Sequence, residues 1–172
     1  APTDQVPVVI RQERERHVEP MRWGFMPFHT TRMRGRMALN SEDKSINTPI
    51  NARAETVHSH GFFQTSFERR RCIIPAGGFY EWKRTDGARV PYWIYLRDRS
   101  WMAFAGVYTW WKSPDASWVP SCVIITTSPN SFMKPIHDRM PVILTEDAYD
   151  LWLDPGNRDI SELKELLLPY PA

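Results

Sequence analysis

The sequence predicts an α+β fold dominated by strands, in which an antiparallel, barrel-like sheet carries a few peripheral helices. Short runs of β-branched and aromatic residues follow one another between residues 71 and 127, and most are separated by Gly, Pro, Asp or Ser. Residues 145–172 show helical spacing instead. Because 172 residues with 42% hydrophobic content can form one self-supporting core, we expect a single domain over residues 1–172.

Extended segments are predicted in order along the first part of the chain. Residues 1–10 contain two prolines, which favour exposed, non-helical backbone. The charged stretch 11–19 fits a hairpin tip, residues 20–28 alternate as a strand does, and the polar run 31–48 is predicted as a surface loop. A short helical segment, GFFQTSFE, precedes strands in RRCIIPAG, FYEWKR, YWIYLR, MAFAGVYTWW and CVIITTS.

Two helices are predicted near the end of the chain. Thr145 can cap EDAYDLWL, and Asp159 can cap ISELKELLL with Glu162 at the third helical position. The leucines of the second segment share one face, which is typical of core packing.

The charge of the chain is unevenly distributed. Residues 1–144 hold twenty basic and thirteen acidic side chains, whereas residues 145–172 hold two basic and seven acidic ones. A body of charge +7 suits a polyanionic partner, because cationic side chains release counterions from phosphates, although many enzymes of neutral substrates are equally basic. Charge alone therefore does not decide between a nucleic-acid-binding protein and an enzyme of a neutral substrate.

Several functional classes find no support in the sequence. Cys72 and Cys122 lie in apolar runs, where a buried structural thiol is the expected state. No apolar run approaches the length of about 20 residues that a membrane span needs, and no basic-then-apolar leader opens the chain. His58 and His60 have the spacing of metal ligands, but no cysteine or carboxylate partner completes a site, so we predict no metal site. We also predict no cofactor and no membrane partner. We expect a cytoplasmic monomer, associated with the nucleoid if bacterial.

The segment NARAETV is the first of three candidate functional segments. If it is extended, Asn51, Arg53 and Glu55 point to one side, whereas Ala52 and Ala54 point to the other. A polar row backed by small residues indicates a working surface, but Asn51 closing a turn and Arg53 pairing with Glu55 would explain the same pattern.

Glu81 is the candidate acid or base in the second segment, GGFYEWKR. Tyr80 and Trp82 flank it in the sequence, and apolar walls favour the protonated form of a carboxylate, so that it can exchange protons near neutrality. The alternative is an exposed position on the solvent face of a strand.

His137 is the candidate proton-transfer residue in the third segment, KPIHDRMPVIL. It lies with Asp138 and Arg139 between Pro135 and Pro141, which stiffen the loop. Histidine is the side chain whose ordinary titration range lets it donate and accept protons at neutral pH, but a loop histidine is often only a surface residue.

Five motifs resemble the successive signatures of one known family. MRWGFMP, NARAET, RRCIIPAGGFYEW, ITTSPN and IHDRMPVIL occur in this order over about 120 residues and are similar to those of the SRAP family (SOS-response-associated peptidase; abasic-site processing). The resemblance implies a strand-rich α+β fold with a basic groove for single-stranded DNA. It also implies an amino-terminal cysteine whose amine and thiol form a thiazolidine crosslink with an abasic site, and which serves as well in release of the protein's own amino terminus.

The resemblance also implies roles for individual residues. Glu81 matches the family's acid/base, His137 matches its second proton-transfer residue, and Asn51 matches the residue that orients the reacting terminus. Arg53 and Arg139 match phosphate contacts.

Two departures from the family pattern concern the reacting terminus and the DNA surface. The Met-Cys-Gly-Arg segment is expected before Ala1 and a continuation after Tyr170, so we interpret the chain as a fragment that would not crosslink as written. Phe28 and His29 stand where the family carries tryptophan, which leaves Trp23 and Pro2 as candidates for contact with bases, or for packing.

Two other functional classes remain alternatives. A hydrolase using Cys72 and His137 requires a reactive thiol, although Cys72 reads as strand core. A non-catalytic single-strand binding module would use Arg53, Arg139, Trp23 and the arginines of residues 32–36 without chemistry.

Overall fold

A computed structural model of the protein describes residues 1–26, 48–113 and 115–172. The predicted surface loop 31–48 lies outside the described residues except for Thr48, which is buried. Phe28, His29 and the arginines of residues 32–36 also lie outside them.

The fold is built on strands, as the sequence predicts. In chain order the elements are β1 (Gln5–Gln12), β2 (Glu15–Trp23), β3 (Asn51–Arg53), α1 (Gln64–Arg69), β4 (Arg71–Ala76), β5 (Phe79–Thr85), β6 (Ala88–Ile94), β7 (Met102–Lys112), β8 (Trp118–Thr127), β9 (Met140–Pro141), β10 (Ile143–Leu144), α2 (Tyr149–Leu153) and α3 (Ile160–Glu165). The predicted strand over residues 20–28 ends at Trp23 within the described residues, and the charged hairpin tip is confined to residues 13 and 14.

Five of these strands close into a barrel. Its order is β7-β4-β1-β2-β8, and the pairing of β8 with β7 completes the ring. The barrel-like sheet is confirmed, but it is mixed rather than antiparallel throughout, because β8 pairs in parallel with both β2 and β3. Parallel neighbours need a long connection, and the chain between Trp23 and Trp118 supplies one.

Alternation along the strands divides the apolar residues between two clusters. Ile74, Phe104 and Ile124 belong to the cluster that all five barrel strands share, and it fills the barrel. Their neighbours, such as Ala105 and Ile125, pack on the outer face beneath the helices. Burial on both faces explains why β7 and β8 read as nearly continuous apolar runs.

The helices are short and attach to the outer face of the barrel. Asp159 caps α3 as predicted, since its Oδ1 accepts the N–H of Glu162 at 3.1 Å. Thr145 precedes a 3₁₀ turn over residues 146–148, but its side chain makes no capping hydrogen bond. Among the described residues, no helix is both long and apolar enough to cross a membrane.

Arg71 connects these helices to the barrel. Its side chain is 3% exposed and donates to the carbonyl oxygens of Phe67, Glu68, Trp152, Asp154 and Asn157. Burial lowers its pKa to about 10, so that it remains charged at neutral pH. One guanidinium thus satisfies carbonyl groups at the ends of two helices and in the following loop.

The hairpin of β5 and β6 stands outside the barrel and forms a sheet of its own. Its turn contains Gly87 at φ +76°, a conformation that glycine adopts without strain. Phe79 at the base of the hairpin contacts Phe104 in an edge-to-face arrangement, with 6.0 Å between ring centroids. This contact joins the hairpin to the barrel core.

Candidate active site

A cavity of about 800 Å³ lies at the base of the hairpin. Its walls come from the first residues of the chain, β3, the start of β5, and the segment before β9. It brings together all seven residues that the sequence analysis singled out as site residues: Pro2, Trp23, Asn51, Arg53, Glu81, His137 and Arg139.

Glu81 projects from β5, where its cross-strand partner is Tyr92. Tyr80 and Trp82 alternate with Glu81 along the strand and are largely exposed, but both residues also line the cavity. The carboxylate is 24% exposed, and its Oε2 accepts the N–H of Trp82 at 3.2 Å. Glu81 is therefore a half-buried group facing the cavity rather than an isolated one in an apolar pocket.

His137 faces Glu81 across the cavity, with 3.7 Å between Nε2 and Oε2. The backbone N–H of Arg139 donates to Nδ1 at 3.1 Å, which requires a lone pair on that nitrogen. In that tautomer the neutral ring carries its proton on Nε2, the atom nearest Glu81, whereas the other tautomer places the proton on Nδ1, which lies 3.3 Å from the Arg139 carbonyl oxygen and from Asp138 Oδ1. This arrangement can pass a proton between the two side chains after a small approach.

The turn that precedes His137 is organised by Asn130 of the ITTSPN motif. Asn130 Oδ1 accepts the N–H of Met133 at 2.9 Å, and its Nδ2 donates to the carbonyl oxygen of Tyr170 at 2.8 Å. The N–H of His137 in turn donates to the carbonyl oxygen of Met133 at 2.9 Å. One amide side chain thereby fixes the backbone from which His137 projects.

The NARAET segment has the predicted alternation of exposed and buried residues. Ala52 and Ala54 are buried, whereas Asn51, Arg53 and Glu55 are exposed. Asn51 and Arg53 lie beside Ile124 and Thr126 of β8 in parallel register and line the cavity. Parallel pairing with the largely buried strand β8 therefore explains the small residues in this motif.

Arg139 makes the ion pair that the sequence analysis considered for Arg53. Its two terminal nitrogens bond Glu55 Oε1 at 2.7 Å and Oε2 at 3.0 Å, and Nη2 also donates to the carbonyl oxygen of Thr126 at 2.7 Å. The hydrogen bond from Arg139 holds the pKa of Glu55 below its usual range. Glu55 and Arg139 are 84 residues apart, so no local pattern of residues indicates this pair.

Trp23 and Pro2 both line the cavity but differ in their surroundings. Trp23 packs against the barrel cluster, and its Nε1 donates to the carbonyl oxygen of Ile50 at 2.9 Å, whereas Pro2 is exposed. Tyr80 and Trp93, which the sequence did not identify as part of a binding surface, also line the cavity. Their rings contact each other across the hairpin in a tilted arrangement, with 4.7 Å between centroids and 48° between planes.

Neither cysteine is available as a nucleophile. Cys72 and Cys122 have no exposed surface and no disulfide partner, and neither lines the cavity. Burial raises the pKa of the Cys122 thiol to about 12 and that of Cys72 well above its usual range. The alternative hydrolase with Cys72 as nucleophile is therefore wrong. Within the described residues, no group of three or more His, Cys, Asp or Glu side chains is placed to hold a metal ion.

Comparison with known proteins places the chain in a family. The profile of the family described as SOS response associated peptidase (SRAP) matches residues 1–172. The chain belongs to the SRAP family. Abasic site processing protein YoqW of Bacillus subtilis is 39% identical over 173 residues, which cover 100% of this chain and 73% of that protein. Abasic site processing protein HMCES of Mus musculus is 30% identical and covers 90% of this chain, and the match spans 50% of that longer protein.

Two solved structures have the same architecture. A protein from Bordetella bronchiseptica superposes with a TM-score of 0.82 at 28% identity, covering 99% of this chain and 81% of its own. A protein from Bacteroides thetaiotaomicron gives a TM-score of 0.81 at 28% identity, covering 98% and 70%. The strand-rich SRAP fold predicted from the motifs is therefore confirmed.

Proposed function

We propose that the protein senses abasic sites in single-stranded DNA and captures them covalently through an amino-terminal cysteine joined to this chain. One observation carries the proposal: Glu81, His137 and Asn51 converge on the same cavity as Ala1. Any residue joined to Ala1 through its backbone starts from the wall of that cavity. Relatives 38–40% identical over the whole chain are named abasic site processing proteins, which supports the same chemical target.

The proposed reaction forms two bonds and releases one water molecule. The cysteine α-amine attacks the C1′ aldehyde of the opened deoxyribose, and the resulting carbinolamine loses water to give an imine. The thiol then adds to the imine carbon while the nitrogen gains a proton, which closes the thiazolidine ring. Because amine and thiol belong to one residue, the second step is intramolecular.

The cavity residues supply proton transfers and orientation in this proposal. Glu81 donates the proton with which the carbinolamine hydroxyl leaves as water, and His137, 3.7 Å away, exchanges protons with it during opening of the sugar and reversal of the crosslink. Asn51 orients the reacting terminus. Arg53 and Arg139 bind flanking phosphates, while Trp23 and Pro2 contact bases.

Adduct formation tests the proposal directly. The protein, expressed with its encoded amino terminus, is incubated with single-stranded DNA containing one abasic site, and a heat-stable species of shifted mass is sought. We expect an adduct that disappears when the terminal cysteine is replaced by alanine. Binding without any adduct would contradict the covalent reaction.

Glu81→Gln tests the proton-transfer step. The amide is nearly isosteric but cannot deliver the proton, so we expect crosslinking to slow by about 10²-fold or more while affinity for unreactive single-stranded DNA stays within about twofold. Glu15→Gln is the control, because Glu15 is exposed, carries the same charge and does not line the cavity. Equal loss of binding and rate in Glu81→Gln would remove its catalytic role.

A single-strand binding module without chemistry is the second candidate. The exposed rings of Tyr80, Trp82 and Trp93 at the cavity favour it, since aromatic faces stack bases of any sequence. Retained binding with no adduct under any condition is the result that this candidate predicts.

The family's description as a peptidase suggests a further reaction of the same cysteine, in which the peptide that precedes the cysteine is released. Mass analysis of the mature amino terminus tests that reaction.

A further inference from the structure

The guanidinium of Arg139 lies at the cavity with its hydrogen-bonding fork already filled. Both terminal nitrogens bond the Glu55 carboxylate, at 2.7 and 3.0 Å. A phosphate bound by an arginine fork uses the same two nitrogens in the same geometry. Glu55 therefore occupies the position that a phosphate on Arg139 would take.

Arg139 does not depend on Glu55 for its position. Its Nη2 also donates to Thr126, to the carbonyl oxygen at 2.7 Å and to Oγ1 at 3.2 Å, and the side chain is only 17% exposed. Glu55 is 52% exposed, so it can turn into solvent without displacing other side chains. The cation is held by the barrel strand β8, and the carboxylate is the movable partner.

Glu55 also lies in the field of a second arginine. Arg53, two positions earlier on the same face, stabilises the Glu55 carboxylate electrostatically in addition to Arg139. Both arginines line the cavity, whereas Glu55 does not. One carboxylate thus offsets part of the positive charge that a DNA strand would meet.

We propose that Glu55 is a specificity-determining residue that competes with DNA phosphate for Arg139 and so sets the affinity of the cavity for single-stranded DNA. The inference rests on the proposed function, because it takes a DNA strand as the ligand. An anion enters the Arg139 fork only by exchange with Glu55, so a phosphate anchored by other contacts along a strand succeeds where a small free anion does not.

Glu55→Gln tests the competition. We expect an unreactive single-stranded oligonucleotide to bind about two- to fivefold more tightly at low salt, because the variant lacks the partly exposed negative charge of Glu55 that competes with phosphate. The slope of log K against log salt should steepen by about 0.7, the contribution of one more neutralised phosphate on a single strand. Fluorescence anisotropy between about 50 and 200 mM salt measures both quantities.

Asp150→Asn is the matched control. Asp150 pairs with Arg16 at 2.7 Å, so the variant makes the same charge change beside another arginine, away from the cavity. We expect its affinity and salt slope to equal those of the parent. In an Arg139→Gln background, the gain from Glu55→Gln should disappear.

The outcomes separate this inference from the proposed function. If Glu55→Gln binds the oligonucleotide no more tightly than Asp150→Asn does, or more weakly than the parent, Glu55 does not compete with phosphate for Arg139. That result would leave the proposed capture of abasic sites intact. A gain that persists without Arg139 also overturns the competition. A parent protein that neither binds the oligonucleotide nor forms the adduct removes the proposed function itself.

Discussion

Replacing Asn130 separates the positioning of His137 from the stability of the fold. Asn130→Ala removes two partly buried hydrogen bonds, from the Met133 N–H at 2.9 Å and to the Tyr170 carbonyl oxygen at 2.8 Å. At about 1 kcal/mol net for each bond, the free energy of unfolding should fall by about 2 kcal/mol. Because the turn before His137 then loses its side-chain support, we expect crosslinking to slow by about 10- to 100-fold.

Asn130→Asp provides the comparison that isolates the turn. Aspartate keeps the acceptor for Met133 but places a second oxygen against the Tyr170 carbonyl group, so its loss of stability should also be about 2 kcal/mol. The turn, however, is retained, and the crosslinking rate should stay within about threefold of the parent.

Two measurements decide between positioning and stability. Urea unfolding gives the free energies, and single-turnover adduct formation with an abasic oligonucleotide gives the rates. Equal rates in the alanine and aspartate variants, at equal stability, would refute the argument that Asn130 positions His137.

Three further predictions concern the barrel, its helices and the ion pair. Arg71→Lys leaves three donors for five carbonyl partners, so two or more carbonyl groups lose their hydrogen bonds. Urea unfolding should show that the free energy of unfolding falls by about 3 kcal/mol, and a fall of less than about 1 kcal/mol would contradict the hydrogen bonds assigned to Arg71. Gly106→Ala places a Cβ 2.6 Å from the Val123 carbonyl oxygen inside the barrel, so we expect a loss of about 2–3 kcal/mol, and an unchanged melting temperature would contradict it. The pKa of Glu55 lies below its ordinary 4.5 in the folded state, so its stabilising effect is fully present above that value and is lost as the pH falls through the lowered folded pKa. The melting-temperature difference between the parent and Glu55→Gln should therefore shrink from pH 7 towards pH 3, and a difference that grows on acidification would reverse the sign.

The strands of the barrel could be predicted because their signals are local. β7 and β8 are apolar on both faces, and Asp159 with Glu162 marks the start of α3 within four residues. The parallel pairing of β8 could not be predicted, since strand direction is decided by where a long connection returns. The pattern of apolar residues along β8 is the same for either direction.

The candidate site shows the same division between local and distant information. The sequence identified Glu81 and His137 by residue type and setting, but it predicted that the chain neighbours of Glu81 enclose its carboxylate, whereas Tyr80 and Trp82 are 67% and 52% exposed. Pairing of Arg53 with Glu55 is one of two explanations that the sequence allows, whereas the hydrogen bonds of Glu55 go to Arg139. Ion pairs between distant residues leave no periodic trace, so only the folded arrangement assigns them.

The distance between Glu81 and His137 depends on two elements that the barrel holds independently. Glu81 belongs to the hairpin, whose base is fixed by Phe79 on Phe104, and His137 belongs to the turn that Asn130 organises. Neither residue lies on a barrel strand, so a shift of either element changes the 3.7 Å separation without unfolding the core. Gly78 lies at the base of the hairpin, where a Cβ would clash with the backbone carbonyl oxygen of Ile94 and lie 2.7 Å from the Trp93 ring. Gly78→Ala should therefore displace Glu81 relative to His137, and single-turnover adduct formation should slow.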